Sequence, residues 1–241
     1  SDLSSSRGKA APTGQHLAGA RAVRVWDLPT RLFHWLLVLC VIGSVVTAKV
    51  GGNATIWHFR LGYVVLALLV FRLLWGLVGG YWSRFSSFIY SPATLIAYLR
   101  GARGPGGRWD VGHSPTGALS VFALLALLMA QVATGLVADD EIANTGPLNR
   151  FVSSAVADPA TAWHSEWGQW LLLGLIALHV LAIVIYRLRG RNLVAPMLHG
   201  DKALPPDAQL PVSADHAGRR WLALLLLGIG AALAAWVASF G

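Results

Sequence analysis

The chain has 241 residues, of which 55% are hydrophobic and only 12% charged. Soluble domains carry about 25% charged residues, so the composition excludes an ordinary soluble enzyme and describes a polytopic membrane protein. The net charge of +8 raises nucleic acid as a partner, but its distribution along the chain follows membrane topology and argues against one.

The chain opens on SDLSSSRGKAAPTGQHLAGA, which is polar and rich in small residues. It has no apolar core, so it reads as a disordered tail over residues 1–22 and not as a signal peptide. His16 within it has no expected role. The first element follows in WDLPTRLFHW: Asp27 caps a helix, and Pro29 suits a first turn because its missing N–H costs nothing there. A membrane-crossing helix needs roughly 20 apolar residues. Five segments qualify: Leu32–Val50, His58–Val78, Thr116–Ala138, Trp167–Leu188 with a lead-in from Trp163, and Trp221–Phe240. Between the second and third, SSFIYSPATLIAYLRG reads as a short amphipathic helix on the membrane surface, and GARGPGG as a flexible turn. The single cysteine, Cys40, excludes an internal disulfide, C-x-x-C-H haem attachment and a cysteine zinc cluster. It reads as a small buried hydrophobe.

Charge orients the spans. Arg7, Lys9, Arg21, Arg24 and Arg31 precede the first, and Arg84, Arg100, Arg103 and Arg108 lie between the second and third. Arg187, Arg189, Arg191, Lys202, Arg219 and Arg220 follow the fourth. The loop between the third and fourth is acidic, with Asp139, Asp140, Glu141, Asp158 and Glu166 against Arg150. Cationic loops stay in the cytoplasm, so the N-terminus is expected inside and the C-terminus outside.

Four histidines fall in or at the ends of spans, where ionisable side chains are rare and usually functional. A lone one could simply bond a neighbouring helix. His34 opens the first span at the inner side and His58 opens the second at the outer side. The fourth span carries His164 at its outer end and His179 towards the inner end. Matching depths pairs His34 with His179 and His58 with His164, the inner match being looser by simple counting. His164 and His179 are 15 residues apart, which is four helical turns plus about 60°. Both can face one bundle interior, with Gly174 between them and Gly62 beside His58 leaving room for a planar group.

Zinc would want more ligands than each pair supplies. Haem iron needs two axial ligands, the porphyrin giving the other four, and bundle cores are common haem sites. Two pairs therefore imply two non-covalent b-type haems, one above the other. Arg31 and Arg72 at the inner level, and Arg60 at the outer, are candidate partners for haem propionates, Arg31 being equally an ordinary flanking cation. His113, in VGHSP, reads either as a solvated loop residue or as a quinone contact. Gln131, within the third span, reads as a bond between helices. His199 and His216 read as loop residues.

The stretches VRVWDLPTRLFHWLLV, WHFRLGYVVLALLVFRLLWGLVG, GHSPTGALSVFALLALLMAQVATG and WHSEWGQWLLLGLIALHVLAIVIYRLRGRNLVAPMLHGDK together resemble the bacterial cytochrome b561 and nickel–iron hydrogenase b-type cytochrome family. The resemblance implies a four-helix dihaem cytochrome of the inner membrane that exchanges electrons with quinone. In it His34, His58, His164 and His179 align with the haem ligands. It spans about Val23 to Lys202, and the fifth helix lies beyond it.

The expected organisation is an all-α integral membrane protein. A tail over residues 1–22 precedes a four-helix dihaem bundle over 23–202, and a linker and C-terminal transmembrane helix fill 203–241. The expected function is electron transfer between membrane quinone and a periplasmic redox partner, either a c-type cytochrome or a hydrogenase-like subunit. One alternative is a self-contained superoxide:quinone oxidoreductase, with Lys49 and Arg60 as the nearby cations. An alternative of another class is a haem-free transporter or assembly subunit.

Overall fold

The computed structural model describes residues 21–102, 104, 108–205 and 209–241. The N-terminal tail up to residue 20, and part of the GARGPGG turn, lie outside the described residues. In chain order the elements are strand β1 (Arg21–Arg24), helices α1 (Leu28–Val50), α2 (Thr55–Val78), α3 (Pro92–Leu99), α4 (Arg108–Val111), α5 (Pro115–Val137), α6 (Ser154–Ala162), α7 (Gly168–Leu188) and α8 (Val194–His199), strand β2 (Asp201–Leu204) and helix α9 (Ala217–Ala238). Among the described residues five helical segments are long and apolar enough to cross a membrane. Their outer faces carry exposed leucines such as Leu39, Leu77, Leu178 and Leu225. Such faces belong in hydrocarbon, where a helix satisfies its backbone internally. The chain is an all-α, multi-pass membrane protein.

The helices pack as two units. One is α1 and α2 with α9 laid along α2; the other is α5 and α7, and the units meet mainly through α2 and α5. The core between them is Phe33, Cys40, Leu68, Phe71, Trp75, Leu125, Leu128 and Leu172. Cys40 is buried there as the small apolar side chain expected. The fifth span is integral to the packing: a Cβ on Gly230 would lie 2.5 Å from the Ala67 carbonyl oxygen, so glycine permits the close approach of α9 to α2.

Three element boundaries differ from expectation. Helix α1 begins at Leu28, four residues before the apolar run, because the Asp27 carboxylate accepts the Thr30 amide at 2.8 Å and Pro29 occupies the first turn. The fourth span is a rod of 35 residues, Ser154–Leu188, running back through what read as loop. Its joint is a single π-helical turn at Trp163–Trp167. The surface helix is also shorter than expected, starting at Pro92 with Ser91 as its cap. Upstream, Phe88 turns inward against Phe122, with ring centroids 5.4 Å apart, instead of lying on the membrane.

A short antiparallel sheet, unexpected from the sequence, ties the start of α1 to the chain after α8. Arg21 pairs with Leu204 and Arg24 with Asp201. The Arg24 guanidinium reaches Asp201 at 2.6 Å and Asp215 at 2.7 Å. The Ser213 hydroxyl donates to the Val25 carbonyl at 2.6 Å. These bonds tie Asp201, Ser213 and Asp215, on either side of residues 206–208, to the bundle.

Candidate functional site

Helix α2 carries His58 in its first turn. Its Nδ1 lies 2.9 Å from the Ser44 carbonyl of α1. A carbonyl only accepts, so Nδ1 carries the proton and Nε2 keeps its lone pair. His164, in the π turn, repeats the arrangement: its Nδ1 lies 2.8 Å from the Gln131 carbonyl of α5. Each imidazole is thus clamped to its neighbour within its own helix unit. Across the gap between units the two rings face each other, with centroids 5.9 Å apart and planes at 76°.

That spacing suits a shared metal ion. A first-row metal binds an imidazole nitrogen at about 2 Å, which puts two rings on opposite sides of one ion roughly 6 Å apart by centroid. Bare edge-to-face pairs have similar spacing. The committed Nδ1 atoms mark the difference, because outer hydrogen bonds of this kind orient metal-binding histidines and raise their basicity. Among the described residues no group of three His, Cys, Asp or Glu side chains is placed to hold a bare metal ion.

The second pair bridges the same two units. His34 on α1 and His179 on α7 lie within electrostatic reach of each other. The early start of α1 bears on this: His34 is its seventh residue, about 9 Å along the axis rather than at its mouth. The π turn acts similarly on α7, because a wider turn takes up sequence without advancing the helical face and so reduces the offset between His164 and His179. His34 Nδ1 is enclosed and has no hydrogen-bond partner.

The glycines divide. Nothing lies within 4 Å of a Cβ placed on Gly62 or Gly174, so both border open space. Gly135 makes the tightest approach to a histidine: a Cβ there would sit 2.6 Å from His164 Cε1. The sequence signal for it was Gln131 four residues earlier on the same face of an otherwise apolar helix.

The arginines also divide. Arg72 is 4% exposed; its guanidinium lies 4.6 Å over the Phe85 ring and its Nη1 has no partner. Arg31 donates from Nη1 to the Leu198 carbonyl at 2.5 Å, while its Nε is enclosed and unpartnered. Arg60 is exposed and lies 4.9 Å over Trp57. Lys49 reaches Gln169 Oε1 at 3.1 Å beside Trp170.

His113 is not a solvated loop residue. Its ring packs 4.2 Å from Phe88 and 4.8 Å from Trp26, and its Nδ1 is enclosed without a partner. Enclosure first, and the nearby Arg72 charge second, push its pKa down from 6.5 to about 3. The folded state therefore binds fewer protons than the unfolded chain between these values. The stability contributed by neutral His113 is complete above pH 6.5 and is lost as pH falls towards 3. His113→Phe is expected to flatten this acid loss, measured as thermal unfolding against pH; an unchanged slope would refute the assignment.

At the opposite end the loop after α5 is firmly anionic. The Asn144 side chain, followed by the amides of Asn144, Ala143 and Ile142, holds the Asp140 carboxyl well below its ordinary range.

Membrane-length helices in two units, with facing imidazoles between them, define the class: a polytopic membrane cytochrome of the b type. The prokaryotic cytochrome b561 family matches residues 25–200, and the chain belongs to it. It is therefore an electron-transfer protein whose cofactor is haem b. The "Probable Ni/Fe-hydrogenase 1 B-type cytochrome subunit" of Escherichia coli K12 is 25% identical over 192 residues, 65% of this chain and 80% of the relative. The "Probable Ni/Fe-hydrogenase B-type cytochrome subunit" of Bradyrhizobium diazoefficiens is 24% identical over 226 residues, 79% of this chain and 90% of the relative. The similarly named protein of Cupriavidus necator is 24% identical over 212 residues, 75% of this chain and 86% of the relative. No solved structure matches the chain significantly. Helix α9 falls outside the family match.

Proposed function

We propose that the chain holds two haem b groups and passes electrons across the bacterial inner membrane, between quinone and a periplasmic redox protein. His58 with His164 would hold the outer haem, and His34 with His179 the inner. The observation that carries this reading is the His58–His164 pair, 5.9 Å apart, with both Nδ1 atoms committed to carbonyls of separate helix units.

Bound haem supplies a reversible one-electron couple. The chain's own part would be to offer a pair of imidazole nitrogens to each iron and to bury and orient those rings. Arg72, enclosed with Nη1 unpartnered, neutralises an inner propionate, and Arg31 assists from the first turn of α1. Arg60, turned towards Trp57, is the outer candidate. Quinone is taken at the basic end, where His113 offers an enclosed ring nitrogen beside Trp26 and Phe88.

By the positive-inside rule the arginine-rich end, with the N-terminus, faces the cytoplasm and the C-terminus faces the periplasm. The anionic loop around Asp140 then meets the partner from outside and favours a basic surface on it. The relatives' names, all of hydrogenase cytochrome subunits, support a separate redox partner over a self-contained oxidase of superoxide.

A redox titration of the purified protein, followed by absorption, tests the reading. Two b-type haems per chain with separate midpoints are expected. A colourless protein would refute it, and quinone reduction by superoxide without a partner would favour the self-contained enzyme.

A further inference from the structure

The π turn at Trp163–Trp167 is where the fourth span departs from regular geometry, and π bulges concentrate at functional sites. Within it the Gly168 amide bonds to the Trp163 carbonyl, five residues back. In an α-helix that amide would go to the His164 carbonyl. Gln131 takes its place: its side-chain Nε2 donates to His164 O at 2.6 Å. In return His164 Nδ1 donates to the Gln131 carbonyl at 2.8 Å. A single residue of α5 therefore grips the ligand at two points, backbone and ring.

The surroundings are built around this grip. Gln131 Oε1 and Trp163 Nε1 are both enclosed without a partner. Both crowd the position that a Gly168 side chain would take, Oε1 at 2.5 Å from it, so only glycine fits beneath them. One turn further along α5, Gly135 leaves space for the imidazole itself. By contrast, the Ser165 hydroxyl and the Gln169 amide nitrogen bond within their own rod, and Gln169 Oε1 takes Lys49 of α1, so neither draws on α5.

We propose that Gln131 is a positioning residue for the outer haem, holding the π turn open and so setting the plane in which the His164 imidazole meets iron. The inference rests on the ligand assignment above. Without the amide, the His164 carbonyl is free to recover its α-helical donor. Closing the bulge shifts the register, each residue of register being worth about 100° of rotation. The ring then turns away from its present 76° to His58. Ligand orientation and outer hydrogen bonding govern the electronic state and potential of low-spin haem.

The test is an EPR-monitored redox titration of the full chain carrying Gln131→Met, which matches volume without the amide, or Gln131→Asn, which keeps the amide on a shorter arm. The signal missing from His164→Ala identifies the outer haem. Both variants are expected to retain two haems. In Gln131→Met the outer haem's low-spin signal and midpoint move while the inner haem's stay at wild-type values; Gln131→Asn moves them less. A lowered melting temperature with the outer signal and midpoint unchanged would assign Gln131 a purely structural role and overturn the proposal. If the methionine variant does not fold, the asparagine variant decides, and wild-type outer properties in it overturn the proposal. Wild-type protein lacking a haem at the outer pair would sink the ligand assignment itself, and is read before any variant is made.

Discussion

His164→Ala is expected to lose one of two haems, about half of the reduced b-band absorbance, while the other keeps its own midpoint. The expectation follows from how the pairs are anchored. His58 is held to α1 and His164 to α5 by bonds within their own helix units. Helix α1 also packs along α2, and α5 along α7, through contacts beyond these bonds. Removing one ring leaves iron with a single protein ligand but leaves the helix framework in place. His179→Ala is expected to give the mirror result, sparing the outer haem. Variants that both kept the full absorbance would refute the ligand assignment. Variants that lost both haems together would show that the two sites fold as one.

Asp27→Ala is expected to destabilise the protein by about 3–5 kcal/mol, the range for stripping a buried ionic group from its partners. Asp27 is wholly buried. Its Oδ1 accepts the Thr30 amide at 2.8 Å and Trp75 Nε1 at 3.2 Å, and its Oδ2 accepts the Ser83 hydroxyl at 2.6 Å and the Gly80 amide at 3.2 Å. One carboxylate therefore caps α1, seats the indole of α2 and folds back the chain that leaves α2. Alanine removes the cap and leaves the Gly80 amide enclosed without an acceptor. Asp27→Asn is expected to cost less, because its carbonyl serves Thr30 and Trp75 while its NH2 opposes the Gly80 amide. Thermal unfolding in detergent, followed by loss of haem absorbance and of helicity, measures both. A change below about 1 kcal/mol for the alanine variant, the scale of a cap alone, would show that the network adds nothing.

The position of Asp27 also bears on the site. By starting α1 at Leu28 it sets His34 two turns into the helix, within electrostatic reach of His179. A shift of that start would move the imidazole by about 1.5 Å per residue and rotate it by 100°. Loss of Asp27 should therefore disturb the inner haem before the outer one.

Much of this protein is legible in its sequence because a bilayer imposes so strict a rule. Runs of roughly 20 apolar residues were enough for five spans, and the sign of the loops between them carries the orientation proposed here. Four histidines stand out against such a background, and counting along the helices pairs them. The sequence by itself thus determined the class, the number of spans and the candidate ligands. What the tertiary structure alone decided depends on partners distant in the chain. The strand pair Arg21–Arg24 with Asp201–Leu204 joins segments about 180 residues apart. The enclosure of His113 by Trp26 and Phe88 belongs to the same kind. The π turn is decided there too, because its freed carbonyl is satisfied by Gln131 on another helix, and local periodicity carries no trace of a donor 33 residues away.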